Sequence, residues 1–247
     1  MMSTVIILNS GTGSRMGDLT ADKPKCLVEI NEKETILTRQ ISILQRYGLQ
    51  EILITTGPFE EKIKKHLAGK FNEASISYVN NPSYETTNYI YSLLLAGDMV
   101  AKNSDQEIVL MHGDLVFEEK VLENLFSSGY ENAVLVNPDL NLPEKDFKAE
   151  IKGGLVRKIA VDIFGPDCVF LIPIYKLAGK TFAAWLDEMN RFRENGRLKV
   201  YAEDALNNLL PALTLHPVEF NNQFCMEIDD LEDLNTVKRY FNAIGER

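Results

Sequence analysis

The sequence predicts an α/β fold: a central mixed, mostly parallel sheet flanked by helices. Three observations carry that expectation. Short apolar runs alternate with helical stripes through the first half of the chain. Three of those runs end at a glycine-bearing turn. Of the 247 residues, 45% are hydrophobic, enough for a sheet covered on both faces and too many for a disordered chain.

Val5 to Leu8 is an apolar run opening into a glycine-rich stretch, the pattern of a buried strand feeding a loop. Thr35 to Tyr47 carries Ile36, Leu37, Ile41 and Leu44 at helical spacing and is closed by Gly48. Glu51 to Thr56 is the next strand, stopped by Gly57-Pro58. Phe59 to Leu67 follows as a helix and Ser75 to Val79 as a strand. Pro82 opens a polar loop to Thr87, an expected N-cap for a helix with Ile90, Leu93, Leu94 and Gly97 on its core face. Ile108 to Met111 is a strand ending at His112-Gly113-Asp114, and Glu118 to Phe126 a helix. In the second half, strands are expected at Ala133–Val136, Phe147–Ile151, Leu155–Val161, Val169–Ile174 and Leu215–Glu219. Gly153-Gly154 joins two of them as a hairpin. Helices are expected at Phe182–Phe192, at Ala205–Leu210 and from Leu231. No linker, repeat or low-complexity segment interrupts the chain, so 1–247 is expected to be one domain.

The charge balance, 26 basic against 36 acidic residues for a net of −10, argues against nucleic acid as partner. Lys62, Lys64 and Lys65 lie beside Glu60 and Glu61, as on a solvated helix face. Cys26, Cys168 and Cys225 are far apart and lack CxxC spacing, which fits buried thiols rather than disulfides or structural zinc. No apolar run approaches the roughly 20 residues of a membrane helix, and no signal-type segment opens the chain. No membrane partner is expected, and the expected location is cytoplasmic.

Chemistry begins at Leu8-Asn9-Ser10-Gly11-Thr12-Gly13-Ser14-Arg15-Met16. A loop leaving a strand with glycines at alternate positions can turn its amides onto phosphate oxygens; it can equally be a plain turn. Met16 stands where the dinucleotide fingerprint needs its third glycine, which argues against a dehydrogenase, and the G-K-[ST] of a P-loop is absent. Lys23-Pro24-Lys25-Cys26-Leu27 follows. Arg15 and Lys25 beside such a loop suit a highly charged anion, a triphosphate or pyrophosphate.

G-x-G-S-R-M followed by K-P-K-C-L resembles the signature of the nucleotidyltransferases that make nucleoside-diphosphate derivatives. Agreement lies at Gly11, Gly13, Ser14, Arg15, Pro24 and Lys25. Asn9-Ser10 departs from the two alanines common there, close to the base. His112-Gly113-Asp114 is similar to the family's metal-binding aspartate after an apolar strand. Glu227-Ile228-Asp229-Asp230-Leu231-Glu232-Asp233-Leu234 is similar to its C-terminal E-I-D-x-x-E-D-L, with Asp229 as second metal ligand. Taken singly, Asp114 is a common turn residue and Asp229 with Glu232 a helix N-cap box; together with the glycine loop they point to a site.

The resemblance implies a Rossmann-like nucleotidyltransferase fold with a small β-hairpin and helical part for the acceptor. Residues to about 136 would bind nucleotide; those from about 137 would hold the acceptor and the second metal ligand. Two carboxylates holding Mg²⁺ suit in-line attack on the α-phosphorus of a nucleoside triphosphate, with Arg15 and Lys25 stabilising the growing charge. The attacking phosphate or phosphonate oxygen is already ionised, so no general base is required. His66, His112 and His216 are expected in structural or surface roles, His112 adjacent to the site.

Asn80 to Leu93 resembles the N-x-x-Y…N-N-I-Y-S stretch of bacterial choline-phosphate cytidylyltransferases, and Tyr201-Ala202-Glu203-Asp204-Ala205 their Y-x-E-D-A. This implies CTP and a small phosphorylated or phosphonylated acceptor as partners, phosphocholine leading, with phosphoethanolamine or aminoethylphosphonate also open. Thr87 and Asn88 fall where the pyrimidine edge is read. A cationic head group calls for aromatic faces and carboxylates: Tyr84, Tyr201, Glu203, Asp204 and Glu227 are the candidates. Tyr89 and Tyr91 flank Ile90 at roughly 100° on either side, so at most one faces a given pocket. Two alternatives stand beside this reading, a sugar-1-phosphate nucleotidyltransferase using UTP, GTP or dTTP and a non-catalytic nucleotide-sensing domain.

Overall fold

Val5, Ile6 and Ile7 are fully buried in the first strand, β1 (Ser3–Asn9), because the sheet is covered on both faces. The structure, a computed structural model, describes residues 3–71, 75–100, 106–220 and 222–245. After the glycine loop come α1 (Ile36–Arg46), β2 (Glu51–Thr56), α2 (Glu60–Leu67), β3 (Ser75–Asn80), α3 (Tyr89–Met99) and β4 (Glu107–His112). There follow β5 (Leu115–Phe117), α4 (Glu119–Ser127), β6 (Ala133–Asn137), β7 (Lys148–Lys152), β8 (Leu155–Ala160) and β9 (Cys168–Ala178). The chain ends with α5 (Gly179–Glu194), α6 (Ala202–Asn207), β10 (His216–Glu219), β11 (Cys225–Glu227) and α7 (Leu231–Ile244).

The main sheet runs β10-β6-β9-β4-β1-β2-β3. Its β4-β1-β2-β3 half is parallel, and β9 enters antiparallel between β4 and β6, giving the mixed sheet expected. β7 pairs with both β9 and β8. Gly153 and Gly154 close that hairpin at φ 62° and 73°, the left-handed pair a two-residue primed turn demands.

Alternation along β1 feeds two cores. Val5 and Ile7 meet α1, α2 and α4 through residues such as Leu37, Ile63 and Leu122. Ile6 and Leu8 meet α3, α5 and α6 through Leu93, Trp185 and Ala205. A third cluster joins Met16 to Val116, Ile228, Val237 and Phe241. It anchors the end of the glycine loop to the segment bearing Asp229.

Two local expectations are corrected. The N-cap of α3 is Asn88, whose Oδ1 accepts from the Tyr89 amide at 2.7 Å, and not Thr87. The cap of α7 is Asp230, which accepts from the Glu232 and Asp233 amides; Asp229 stands outside that helix. β5 and β11, an antiparallel pair, were not expected, because each is only three residues long and neither shows a period. Among the described residues no helix is long and apolar enough to cross a membrane.

Candidate active site

β1 lies between β2 and β4: the chain steps outward from β1 through β2 to β3, then crosses back to β4 on the other side of β1. Such a reversal opens a crevice beyond the carboxyl ends of the two strands. Asn9 ends β1, His112 ends β4, and there a cavity of about 350 Å³ opens, within the roughly 300–1,000 Å³ of small-ligand sites.

The glycine loop forms one wall. Thr55 pins its start, accepting from the Asn9 amide at 3.0 Å and from Ser10 Oγ at 2.9 Å. Gly57 backs against it: a Cβ there would stand 2.3 Å from the Ser10 carbonyl oxygen. Gly13, at φ 71°, turns the loop into a short 3₁₀ segment, and its carbonyl accepts from the Met16 amide and from Thr20 Oγ1. Leu8, Asn9, Ser10, Gly11, Gly13, Ser14 and Arg15 line the cavity. Thr12 is exposed and lies outside that lining.

Asp114 and Asp229, far apart in sequence, meet through Lys25. Its Nζ lies 2.6 Å from Asp114 Oδ2 and 3.0 Å from Asp229 Oδ1, while exposed Arg15 reaches the same Asp229 oxygen at 2.8 Å. Burial works against the Lys25 charge, but the two carboxylates outweigh it and hold the ammonium above the ordinary lysine pKa. For Asp114, burial likewise opposes the charge, and Lys25 overrides it, leaving the carboxyl below its usual range.

Deeper in, Glu227 shares its surroundings with Asp114, Asp146 and Asp229. Burial, then those three charges, push its carboxyl well above the ordinary range. Burial also lowers the pKa of His112, whose Nδ1 lies 3.7 Å from Glu227. Two trios, His112–Asp114–Glu227 and Asp146–Glu227–Asp229, have donor atoms within 4.8 Å of one another. Asp114 Oδ1 is buried with no hydrogen-bond partner among the described residues. This oxygen-rich donor set fits a hard divalent cation.

The expected acceptor residues separate. Tyr84 lines the cavity beside Gly57, at the start of the glycine loop. Tyr201 joins a cycle of rings: Tyr89–His112 at 4.8 Å, His112–Phe147 at 6.4 Å, Phe147–Tyr201 at 5.1 Å and Tyr201–Tyr89 at 5.9 Å between centroids. Glu203 is 1% exposed, its oxygens accepting from the hydroxyls of Tyr89 and, at 2.9 Å, Tyr175. It is a buried carboxylate held by two phenols. Asp204 caps α6, accepting from the Tyr201 amide at 3.0 Å. Glu227 belongs with the carboxylates described above. Of the two helical tyrosines, Tyr89 faces the cavity and Tyr91 does not line it.

At the loop before α3, Thr87 turns inward: its hydroxyl and its amide both donate to the Ser83 carbonyl. The Asn88 amide donates to Leu198 at 2.7 Å, while its side chain caps α3. Asn81, 2% exposed, lines the cavity and holds Thr87 and Ser92 through Nδ2. In the sequence Asn81 lies unmarked inside the Asn80 to Leu93 stretch, and neither Asp146 nor Phe147 stands out as a site residue. Asn81 followed a strand end, a detectable signal; Asp146 and Phe147 precede β7 with no motif around them.

A mixed-sheet α/β domain with a glycine loop and cation-bridged carboxylates at its switch point falls among α/β nucleotide-binding proteins. The chain belongs to the MobA-like NTP transferase domain family, which matches residues 5–234. It is 33% identical over 135 residues, 55% of its length, to the CMP-5′-(3-aminopropyl)phosphonate synthase of Streptomyces rubellomurinus. It is 30% identical over 135 residues, 53% of its length, to the CTP:phosphoglutamine cytidylyltransferase of Campylobacter jejuni. The matches cover 21% and 51% of those relatives. The fold is that of the CTP:phosphocholine cytidylyltransferase of Streptococcus pneumoniae, with TM-score 0.76 at 18% identity over 98% of this chain and 100% of that one. The UTP–glucose-1-phosphate uridylyltransferase AglF of Haloferax volcanii is also among the relatives, 30% identical over 112 residues, 45% of this chain and 43% of that one.

Proposed function

We propose that the chain transfers a cytidylyl group from CTP to a small phosphate or phosphonate acceptor bearing an amino or ammonium group. One observation carries the reading: the Lys25 ammonium joins Asp114 and Asp229 within 3.0 Å at the glycine loop. Loop, cation and carboxylates thus converge on one point. An oxygen of the acceptor's phosphate or phosphonate attacks the α-phosphorus in line. The bond from that phosphorus to the bridging oxygen breaks, and pyrophosphate leaves with the bonding pair. Loop amides and Arg15 hold the triphosphate, and Lys25 faces the charge that grows in the transition state. Asp114 and Asp229 would hold a divalent cation, magnesium in this reading, which neutralises α-phosphate charge when bound.

The acceptor's cationic end is assigned to the cycle of Tyr89, His112, Phe147 and Tyr201, where the tyrosine and phenylalanine faces attract cations. Residues to about 136 are assigned the nucleotide and also lend Tyr89 and His112 to this cycle, while those from about 137 supply Phe147, Tyr201 and Asp229. An aminopropylphosphonate, a phosphoglutamine and a phosphocholine are named by the relatives and the structural neighbour, each pairing a phosphorus oxyanion with nitrogen. Phosphocholine leads, with phosphoethanolamine and aminoethylphosphonate next. The sugar-phosphate relatives favour a second reading, transfer from UTP, GTP or dTTP to a sugar 1-phosphate.

Pyrophosphate release with Mg²⁺ decides between them, crossing CTP, UTP, GTP, ATP and dTTP against phosphocholine, aminoethylphosphonate and glucose 1-phosphate. CTP with a nitrogen-bearing acceptor is the expected result. Turnover of UTP or dTTP with glucose 1-phosphate moves the chain to the sugar branch. Nucleotide binding without turnover of any pair favours a sensing domain.

A further inference from the structure

We propose that Asn9 reads the sugar of the nucleotide: its side-chain amide donates to a ribose hydroxyl and so favours ribonucleotides over deoxyribonucleotides. The inference rests on the nucleotide-binding reading of the cavity and adds to it the residue that selects the sugar. Asn9 is 8% exposed, yet it lines the cavity, and its Nδ2 has no hydrogen-bond partner among the described residues. A buried donor left unpaired is costly, and native structures seldom leave one so. An acceptor oxygen on a ligand in the cavity completes it. Neighbouring Ser10 has no such group to offer, because its hydroxyl is spent on Thr55 at 2.9 Å.

Position selects the acceptor. The Asn9 amide lies directly over Gly113, where an added Cβ would stand 1.9 Å from Asn9 Oδ1. Gly113 immediately precedes Asp114, a carboxylate assigned to the cation that would face the α-phosphate. The loop before α3, where Thr87 and Asn88 are expected at the pyrimidine edge, contributes both of them and Asn81 to the same cavity. The sugar is the unit that joins base to α-phosphate. The crevice between the ends of β1 and β4, where Asn9 and Gly113 meet, is where the sugar crosses. The α-phosphate oxygens fall to Lys25 and the Asp114 cation site, which leaves sugar hydroxyls for Asn9. A site built to hydrogen-bond a hydroxyl rejects an analogue lacking it far more strongly than an apolar pocket does.

The test compares kcat/KM for CTP, 2′-deoxy-CTP and 3′-deoxy-CTP in the wild type, Asn9→Ala and Asn9→Leu. Leucine keeps the bulk over Gly113 and removes the donor. The wild type is expected to prefer CTP over one of the deoxy analogues by roughly tenfold or more. Both variants should lose most of that preference, through CTP alone, with the disfavoured analogue changed by less than about threefold. The analogue that the wild type discriminates against identifies the hydroxyl. Equal loss on CTP and both analogues, or a wild type without preference, overturns the proposal and leaves the nucleotide reading standing. If another base is preferred, the same ratio is measured on its ribo and deoxy pair, since the sugar contact does not depend on the base. If no acceptor supports turnover, calorimetric Kd values for CTP and the two analogues replace kcat/KM. Wild-type protein that binds none of the nucleotides overturns both readings together.

Discussion

Gly13 and Lys25 touch backbone to side-chain stem: a Cβ on Gly13 would lie 2.9 Å from the Lys25 Cβ. The loop glycine therefore shapes the amide wall and also sets how close the bridging lysine stands. Gly13 sits at φ 71°, where an L side chain is strained by about 1–3 kcal/mol. Gly13→Ala is expected to lower Tm and to reduce kcat/KM at least tenfold by displacing Lys25. Unchanged turnover in this variant would show that the position of Lys25 does not depend on the contact.

Lys25→Met removes the nitrogen between Asp114 and Asp229 while keeping its bulk. The expected loss in turnover is on the order of a hundredfold or more, the effect of deleting a group aimed at transition-state charge. A pH signature accompanies it. Asp114 is held below its usual pKa, so its contribution to stability is present above about pH 4 and is lost as pH falls through the lowered value. Without Lys25 that contribution disappears. In metal-free protein, the variant's stability should therefore change less than the wild type's on the acid side. Parallel acid limbs in chemical denaturation would show that Lys25 is not what holds Asp114 ionised.

Much of this arrangement was legible because its causes are local. β1, β2 and β4 are covered on both faces, so each wrote itself as a continuous apolar run. Gly11, Gly13, Arg15 and Lys25 lie within one stretch of chain, where spacing alone suggests an anion. What was not legible depends on partners brought from elsewhere. Thr87 and Asn88 are both capable caps, and Asn88 takes the role where its amide is held by the distant Leu198 carbonyl. Glu203 looks like the acid of an exposed helix start, but the hydroxyls of Tyr89 and Tyr175 close over it. Asp146 joins Glu227 and Asp229 because β7 folds back on β9, a pairing that no periodicity around Asp146 announces.

Lys148, fully buried, supports that same corner. Its Nζ donates to the Asp146 carbonyl at 3.0 Å and to the Val161 carbonyl. Lys148→Met leaves both acceptors without their donor, at a cost of about 1–3 kcal/mol, and is expected to reduce turnover by loosening Asp146. Burial holds the Lys148 pKa below the ordinary lysine value. The unfolded chain then binds more protons than the folded one between the two values, so this group makes stability rise as pH climbs through that window. The stability gap between wild type and variant should widen from pH 8 toward pH 10. Denaturant midpoints at the two pH values check it, and a constant gap would show that Lys148 titrates normally.

Tyr201 and Glu203 sit two residues apart, and their substitutions should separate acceptor binding from scaffold. Tyr201 is 40% exposed at the edge of the ring cycle with Tyr89, His112 and Phe147. Tyr201→Ala removes one face from a cationic head group, worth about 0.5–2 kcal/mol. The acceptor KM should rise by roughly twofold to thirtyfold with the KM for CTP unchanged. Glu203 instead accepts from two tyrosine hydroxyls in the interior. Glu203→Gln turns an amide donor toward one of them, so Tm should fall, and both substrates should suffer together as Tyr89 loses its anchor. Steady-state kinetics with each substrate varied in turn distinguish the two patterns. A selective acceptor defect in Glu203→Gln with full stability would return that carboxylate to the acceptor pocket.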